Sequence, residues 1–438
     1  MKARLAPLYF DPGRDADFDT QLATLQTLLA DVAELLDPVA LGDRLPEAEA
    51  VVFPQFLGEA YRQVDRFKKI DVPILIITSE FGTLSMWDWE IAGYLKSAGV
   101  KTIAPYTLQQ TKTICRALAV KRELQQTKFL VFQDNPGEGF QASIFKRFYW
   151  WEDECTQRML DKFGVTVVKR SFKELGERAK AIPDLEAEEA WSTRQISTSG
   201  LPTPAIRSAF KLYLAVRREM ERYANVGAVG INCLNESHFS DTTPCLAWNL
   251  LFEEQQIIWG CEADTVSMLT KYILHKSLDV PIMMTNLYPF LLGQAALKHE
   301  RISNFPAVEN PEDCLLVAHC GYLGVVPQSF AAEWTLRPKV LAIVDDNASA
   351  IDARLPTGDA TLAKLDASMD RMTVVAGSLE GYVQYPGSDC LNGGVIRVPD
   401  GRRMMERLSS HHYLLMTGDN AADVGLVGKV FGLEIEQI

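Results

Sequence analysis

Gln256-Ile257-Ile258-Trp259-Gly260-Cys261-Glu262-Ala263-Asp264 opens the stretch that decides the fold, and Pro281-Ile282-Met283-Met284-Thr285-Asn286 closes it. A short apolar run leads into a Cys-Glu-Ala-Asp cluster. A helix-patterned segment follows, and a second apolar run ends at a polar residue. A parallel, helix-covered sheet carries polar side chains to the carboxyl ends of its strands in this way, and open α/β sheets bind ligands there. Glu262 and Asn286 are therefore expected as two corners of one site. Adjacent parallel strands would bring their ends about 5–10 Å apart, within reach of one ion. Residues i and i+2 of extended chain point to the same side, which would let Asp264 share the pocket. The competing reading makes Glu262 and Asp264 first-turn acids of a helix, favoured by its dipole.

The same alternation runs outward from this stretch in both directions. Ala50–Pro54, Val72–Thr78 and Lys101–Ala104 read as strands around a helix at Trp89–Ser97. Lys128–Phe132, Val165–Val168 and Val226–Ile231 read as strands among helices at 149–162, 183–192 and 204–224. Beyond about residue 305, short runs at Leu315–Ala318, Val340–Val344, Thr373–Gly377 and Gly394–Val398 are separated by Gly, Asp, Asn and Pro, which suggests antiparallel pairing. The expected fold class is α/β. Two doubly wound parallel-sheet domains, 1–125 and 126–300, precede a mostly antiparallel, barrel-like β-rich domain at 301–438. The second domain would carry Glu262 and Asn286, and the third His411 and His412.

Composition narrows the function classes. The 438 residues are 47% apolar and 23% charged, as in folded globular proteins. A formal charge of −13 disfavours nucleic acid and anionic membrane as partners. No run approaches the roughly 18 apolar residues of a membrane span, and the N-terminus lacks a signal-peptide pattern. The 8 cysteines are scattered with no CxxC pair, which argues for a reducing, cytoplasmic setting and against a disulfide framework or zinc ribbon.

The remaining chemistry candidates are few. His411-His412 precede an apolar strand, and adjacent residues on a strand face opposite ways, so at most one serves a given pocket. Imidazole is a common ligand for divalent transition metals. His319-Cys320-Gly321 ends another strand, and His319 is a candidate substrate contact or ligand. Gly137-Glu138-Gly139-Phe140-Gln141-Ala142 fits GxGxxA and raises a dinucleotide site. Against that, the next strand ends at Lys169-Arg170 where a ribose-binding acid would stand. Trp87 and Trp89, with Phe148-Tyr149-Trp150-Trp151, form aromatic clusters suited to sugar stacking, to core packing or to a subunit contact.

Cys261-Glu262-Ala263-Asp264, Leu269-Thr270 and the polar residue 286 together resemble the metal-site segment of L-fucose isomerase and its relatives. Thr243-Pro244-Cys245-Leu246-Ala247, Leu355-Pro356-Thr357-Gly358-Asp359-Ala360-Thr361-Leu362 and His411-His412 with Gly418-Asp419 extend the resemblance toward L-arabinose isomerase-like proteins, over roughly residues 120–438. The resemblance implies a metal-assisted aldose–ketose isomerase of a monosaccharide. It would use Mn²⁺ or another divalent ion and assemble as a homo-oligomer, a trimer or hexamer. Glu262 would be ligand and acid/base, Asn286 would hold the second carboxylate's position, and His412 (preferred over His411) would be the third ligand. Asn286 departs from the family, which has Asp there. An amide oxygen coordinates but takes up no proton and brings no charge. Asp264 is then the candidate replacement, and the alternative is a relative that binds a sugar or sugar derivative without isomerising it.

Overall fold

The computed structural model describes residues 1–10, 13–55, 58–135, 152–290, 308–320, 322–384 and 392–438. The GxGxxA segment and the Phe148–Trp151 cluster lie outside them. The chain divides into two compact units. One is Met1–Leu124 with Lys276–Asp279 and Ala422–Leu433, and the other is Gln125–His275, Val280–Ala421 and Glu434–Ile438. The segments expected as second and third domains thus fall within one unit.

In the first unit, β1 (Ala3–Tyr9), β2 (Ala33–Leu35), β3 (Val39–Ala40), β4 (Ala50–Phe53), β5 (Ile74–Ile76) and β6 (Thr102–Ile103) form a parallel sheet. Its order is β2-β1-β4-β5-β6, with β3 also pairing β1. β4 and β5 are buried throughout, as apolar runs covered on both faces should be. Phe53 stacks on Phe10 at 5.5 Å and on Phe67 at 5.1 Å, so three aromatic side chains anchor one face of this core.

The second unit begins with β7 (Lys128–Phe132), β8 (Thr166–Arg170), β9 (Val226–Ile231) and β10 (Ile258–Cys261), parallel in the order β10-β9-β7-β8. Helix Thr265–Leu278 packs unusually close to this sheet, and two glycines make the approach possible. A Cβ at Gly230 would stand 2.9 Å from Met268 Sδ, and one at Gly260 would overlap Met268 Cγ. Glycine there therefore sets how the helix leaves the strand that carries Glu262.

The remaining strands are β11 (Met283–Pro289), β12 (Cys314–Ala318), β13 (Glu333–Pro338), β14 (Ser349–Arg354), β15 (Gly358–Leu365), β16 (Arg371–Val383), β17 (Gly393–Arg397), β18 (His412–Thr417) and β19 (Glu434–Gln437). The order β15-β18-β11-β12-β17-β16 closes on itself through β15–β16 pairing, giving an antiparallel barrel. Closure leaves the barrel without free edges. β19 runs parallel to β16 outside the ring, and β13–β14 form a separate hairpin.

Two expectations are corrected. The strand containing Asn286 is not a neighbour of β10 in the parallel sheet. β11 is a barrel strand, antiparallel to β12 and β18, whereas β10 pairs only β9 among described strands. Periodicity in Pro281–Asn286 could not separate the two, because both a parallel-sheet strand and a barrel strand read as a short apolar run. The run Val340–Val344 is not a strand either. It lies in the loop between β13 and β14, with Ile343 exposed, and ends in a turn where Asn347 N–H donates to Asp345 Oδ1 at 2.8 Å. The true strand is the preceding Glu333–Pro338, whose Trp334 and Leu336 are buried in alternation.

Candidate functional site

Glu262 lies at the carboxyl end of β10, in the turn before helix Thr265–Leu278. Glu262 and Ala263 have φ of 54° and 56°, two consecutive non-glycine residues in the left-handed region. Such conformations cost about 1–3 kcal/mol each and gather at functional sites. The turn buries the Glu262 carboxylate, and Asp264 N–H donates back to Cys261 O at 3.1 Å.

Asp264, fully buried, ends the turn as the helix cap. Its Oδ1 accepts from Ser267 N–H at 2.8 Å, three residues on, which satisfies one of the free amides of the first helical turn. Its Oδ2 accepts from Ser267 Oγ at 2.7 Å, Lys364 Nζ at 3.1 Å and His412 Nδ1 at 2.9 Å. The first-turn reading of the sequence therefore describes Asp264 well. With both oxygens engaged it orients neighbours, and it is not placed as a substitute acid/base for position 286.

His412 opens β18 and is completely buried. An ionised carboxylate has no proton to give, so the hydrogen bond to Asp264 puts the proton on Nδ1. The ring's Nε2 then faces Glu262 Oε1 at 3.7 Å. Burial disfavours the imidazolium, but the hydrogen bonds and charges of Asp264 and Glu262 outweigh it and raise the His412 pKa. Burial likewise pushes Glu262 up, and His412, by hydrogen bond and charge, with His319 and His411, brings it down to about 2. In Asp264 burial is overcome by the Lys364 charge, the bond and charge of His412 and the Ser267 amide, so its carboxyl stays well below the usual range.

Barrel register assembles the other corner. Asn286 on β11 is paired with His412 on one side and with Ala318 on the other, and His319 follows Ala318. Asn286 Nδ2 donates to Tyr288 Oη at 3.0 Å, while its buried Oδ1 has no hydrogen-bond partner among the described residues. His319 is buried, with neither ring nitrogen hydrogen-bonded among the described residues, 6.0 Å from the His412 ring and edge-on to it. Burial is the main reason its pKa falls to about 4, so the ring is neutral at pH 7. The His411 ring lies 4.3 Å from that of His412, and burial, then the His412 charge, lower its pKa to about 3.

Glu262, His412, His411 and His319 thus lie together, and barrel register makes Asn286 the cross-strand partner of His412, although Glu262 and Asn286 arrive from different sheets. Trp87 and Trp89 belong to the first unit, at the start of helix Asp88–Ser97, where they are 72% and 62% exposed. The histidine cluster belongs to the other unit. Sequence reasoning missed Lys364, whose signal was a lysine inside the apolar run Ala360–Leu365. It also missed Asn232, which follows Ile231, the register partner of Cys261, as Glu262 follows Cys261 itself. Adjacent strands are about 4.8 Å apart, so the Asn232 amide and the Glu262 turn share one end of the sheet.

Among the described residues, no group of three or more His, Cys, Asp or Glu side chains is disposed to hold a metal ion. No family model matches the chain, and no curated protein matches it. Among the described residues, no helix is long and apolar enough to cross a membrane.

Proposed function

We propose that this site isomerises a monosaccharide between its aldose and ketose forms. The reading is carried by one observation: a buried, ionised Glu262 faces an imidazole whose orientation is fixed from behind by Asp264, and the cross-strand partner of that histidine, Asn286, keeps its Oδ1 uncommitted among the described residues. Glu262 takes the C2 proton of the open-chain aldose, leaving an enediol, and returns a proton to C1 as the hydroxyl proton passes from O2 to O1. With an amide at 286, Glu262 is the acid/base for both transfers. The neutral ring of His319 offers one donor and one acceptor, which matches a sugar hydroxyl. The Asn232 amide has the same dual character.

A divalent ion such as Mn²⁺ would be held here by Glu262, Asn286 and His412, a mixed oxygen and imidazole set that such ions accept. The Asp264–His412 hydrogen bond is the usual outer support of a metal-bound imidazole. When bound, such an ion polarises the substrate's carbonyl and hydroxyl oxygens. One carboxylate, and not two, would balance its charge.

The test is proton exchange. The protein, supplied with Mn²⁺, is incubated with aldopentoses and 6-deoxyhexoses in D₂O and followed by proton NMR. Ketose carrying solvent deuterium at C1, absent with Glu262→Gln, is the expected result; no exchange with any of these sugars rejects the reading. The second reading, a sugar-binding protein that does not isomerise, is favoured by the amide at 286. It predicts saturable sugar binding by calorimetry without exchange.

Self-association belongs to the same proposal. Phe81, Met86, Trp87 and Trp89 of the first unit are each more than 60% exposed, a large apolar area for a monomer's surface. Sedimentation should show a trimer or hexamer that Trp87→Ser with Trp89→Ser weakens; an unchanged oligomer would exclude these side chains from the interface.

A further inference from the structure

We infer that Lys364 is the positioning residue of this site: acting through Asp264, it fixes the His412 ring so that Nε2 meets Glu262. Its meaning for catalysis rests on the isomerase reading, whereas the geometry stands by itself.

β15 is apolar through Ala360–Leu365 except at Thr361 and Lys364. Thr361 is explained locally, since its hydroxyl donates to Gly418 O at 2.8 Å. Lys364 is 1% exposed, and a buried ammonium costs several kcal/mol unless partners compensate it. Its partners are Asp264 Oδ2 at 3.1 Å and Ser267 Oγ. Capping the helix requires only Asp264 Oδ1, and Asn or Ser would cap it equally well. A charged residue with a second oxygen is needed for something more. Three donors converge on that oxygen: Lys364 Nζ, Ser267 Oγ and His412 Nδ1.

Removing Nζ changes what that oxygen can hold. Asp264 would then face a buried anion's desolvation with one cation fewer, and Oδ2 would be held by Ser267 Oγ and His412 Nδ1 alone, free to shift with the Ser267 hydroxyl that Lys364 also holds. The His412 ring would lose the fixed acceptor behind Nδ1. Because Asp264, Lys364 and His412 come from the sheet–helix turn, β15 and β18, the lysine also ties the barrel to the end of β10 at the reacting groups.

The test reads the ring directly and needs no sugar. With ¹⁵N-histidine labelling, two-bond correlation spectra report Nδ1 and Nε2 of the 6 imidazoles. Lys364→Met should abolish the protected Nδ1–H signal of His412 while the other rings keep theirs, and Lys364→Arg should restore it. Mn²⁺ affinity, followed by electron paramagnetic resonance, should fall about 10–100-fold in Lys364→Met, as for losses of outer-shell support elsewhere. A folded Lys364→Met protein with unchanged His412 signals would overturn the inference. Should that variant not fold, Lys364→Gln is judged by the same criterion. A wild-type protein that binds no Mn²⁺ and exchanges no sugar proton removes the isomerase reading alone, because the ring signals still decide the role of Lys364.

Discussion

At residue scale, the most telling substitution is the amide at 286. Asn286→Asp would add a second carboxylate beside Glu262. Divalent-ion affinity follows the number of charged ligands, so Mn²⁺ binding should strengthen by about tenfold or more in equilibrium titration. An unchanged affinity would mean that Oδ1 of residue 286 does not contribute a ligand. A second buried residue carries a separate cost. Lys271 Nζ sits 3.2 Å from the centroid of the Trp259 ring with no hydrogen-bond partner among the described residues, and burial lowers its pKa well below the ordinary 10.5. The unfolded chain then binds more protons than the folded one between the folded pKa and 10.5. Stability rises with pH through that window and is reduced below it. Lys271→Met should raise stability at pH 7 by about 1–3 kcal/mol, the typical cost of an unsatisfied buried polar group. It should also flatten the gain between pH 7 and 9.5 in urea unfolding curves. Equal slopes in the two proteins would contradict this account.

At the scale of elements, the turn from β10 into helix Thr265–Leu278 positions the site. Its shape depends on Gly260, where a side chain would overlap Met268. Gly260→Ala should cost about 1–3 kcal/mol by overpacking and displace Glu262, so both thermal stability and sugar-proton exchange fall together. Unchanged stability and exchange in Gly260→Ala would contradict this account. Much of this scale was legible beforehand. Lys128–Phe132 and Val226–Ile231 are readable as strands, and 204–224 as a helix, because each is bounded by clear apolar patterning. Val340–Val344 was misread because β-branched apolar residues are also found in loops that lie against a hairpin. Burial alternation, as at Trp334 and Leu336, was the better guide.

At the scale of the whole molecule, acid sensitivity follows from carboxylates held below their ordinary pKa. In Glu254, burial is outweighed by the Arg194 bond at 2.7 Å and by Tyr213, so its pKa is lowered. Its contribution is present above about pH 4.5 and is lost as pH falls through the folded value. Glu254→Gln should therefore show a shallower loss of stability from pH 5 to pH 3 in thermal scans. An identical slope would mean that the Arg194–Glu254–Tyr213 contact has no net value.

What the sequence determined by itself is the set of elements and the chemistry they carry. Hydrophobic periodicity and turn residues mark the parallel α/β sheets, the β-rich region that follows, and Glu262, Asn286 and the His411–His412 pair as the polar groups worth attention. These are local signals, set by which residues bury and which cannot. Only the tertiary structure decided the pairings. Asn286 meets His412 through antiparallel barrel register, Asp264 is a cap and orienter, and Lys364 joins from a strand a hundred residues away in the chain. A strand's side-chain pattern records burial on its two faces, but carries no label for the strand beside it. The contacts that make this site lie between strands that only the closed barrel makes neighbours.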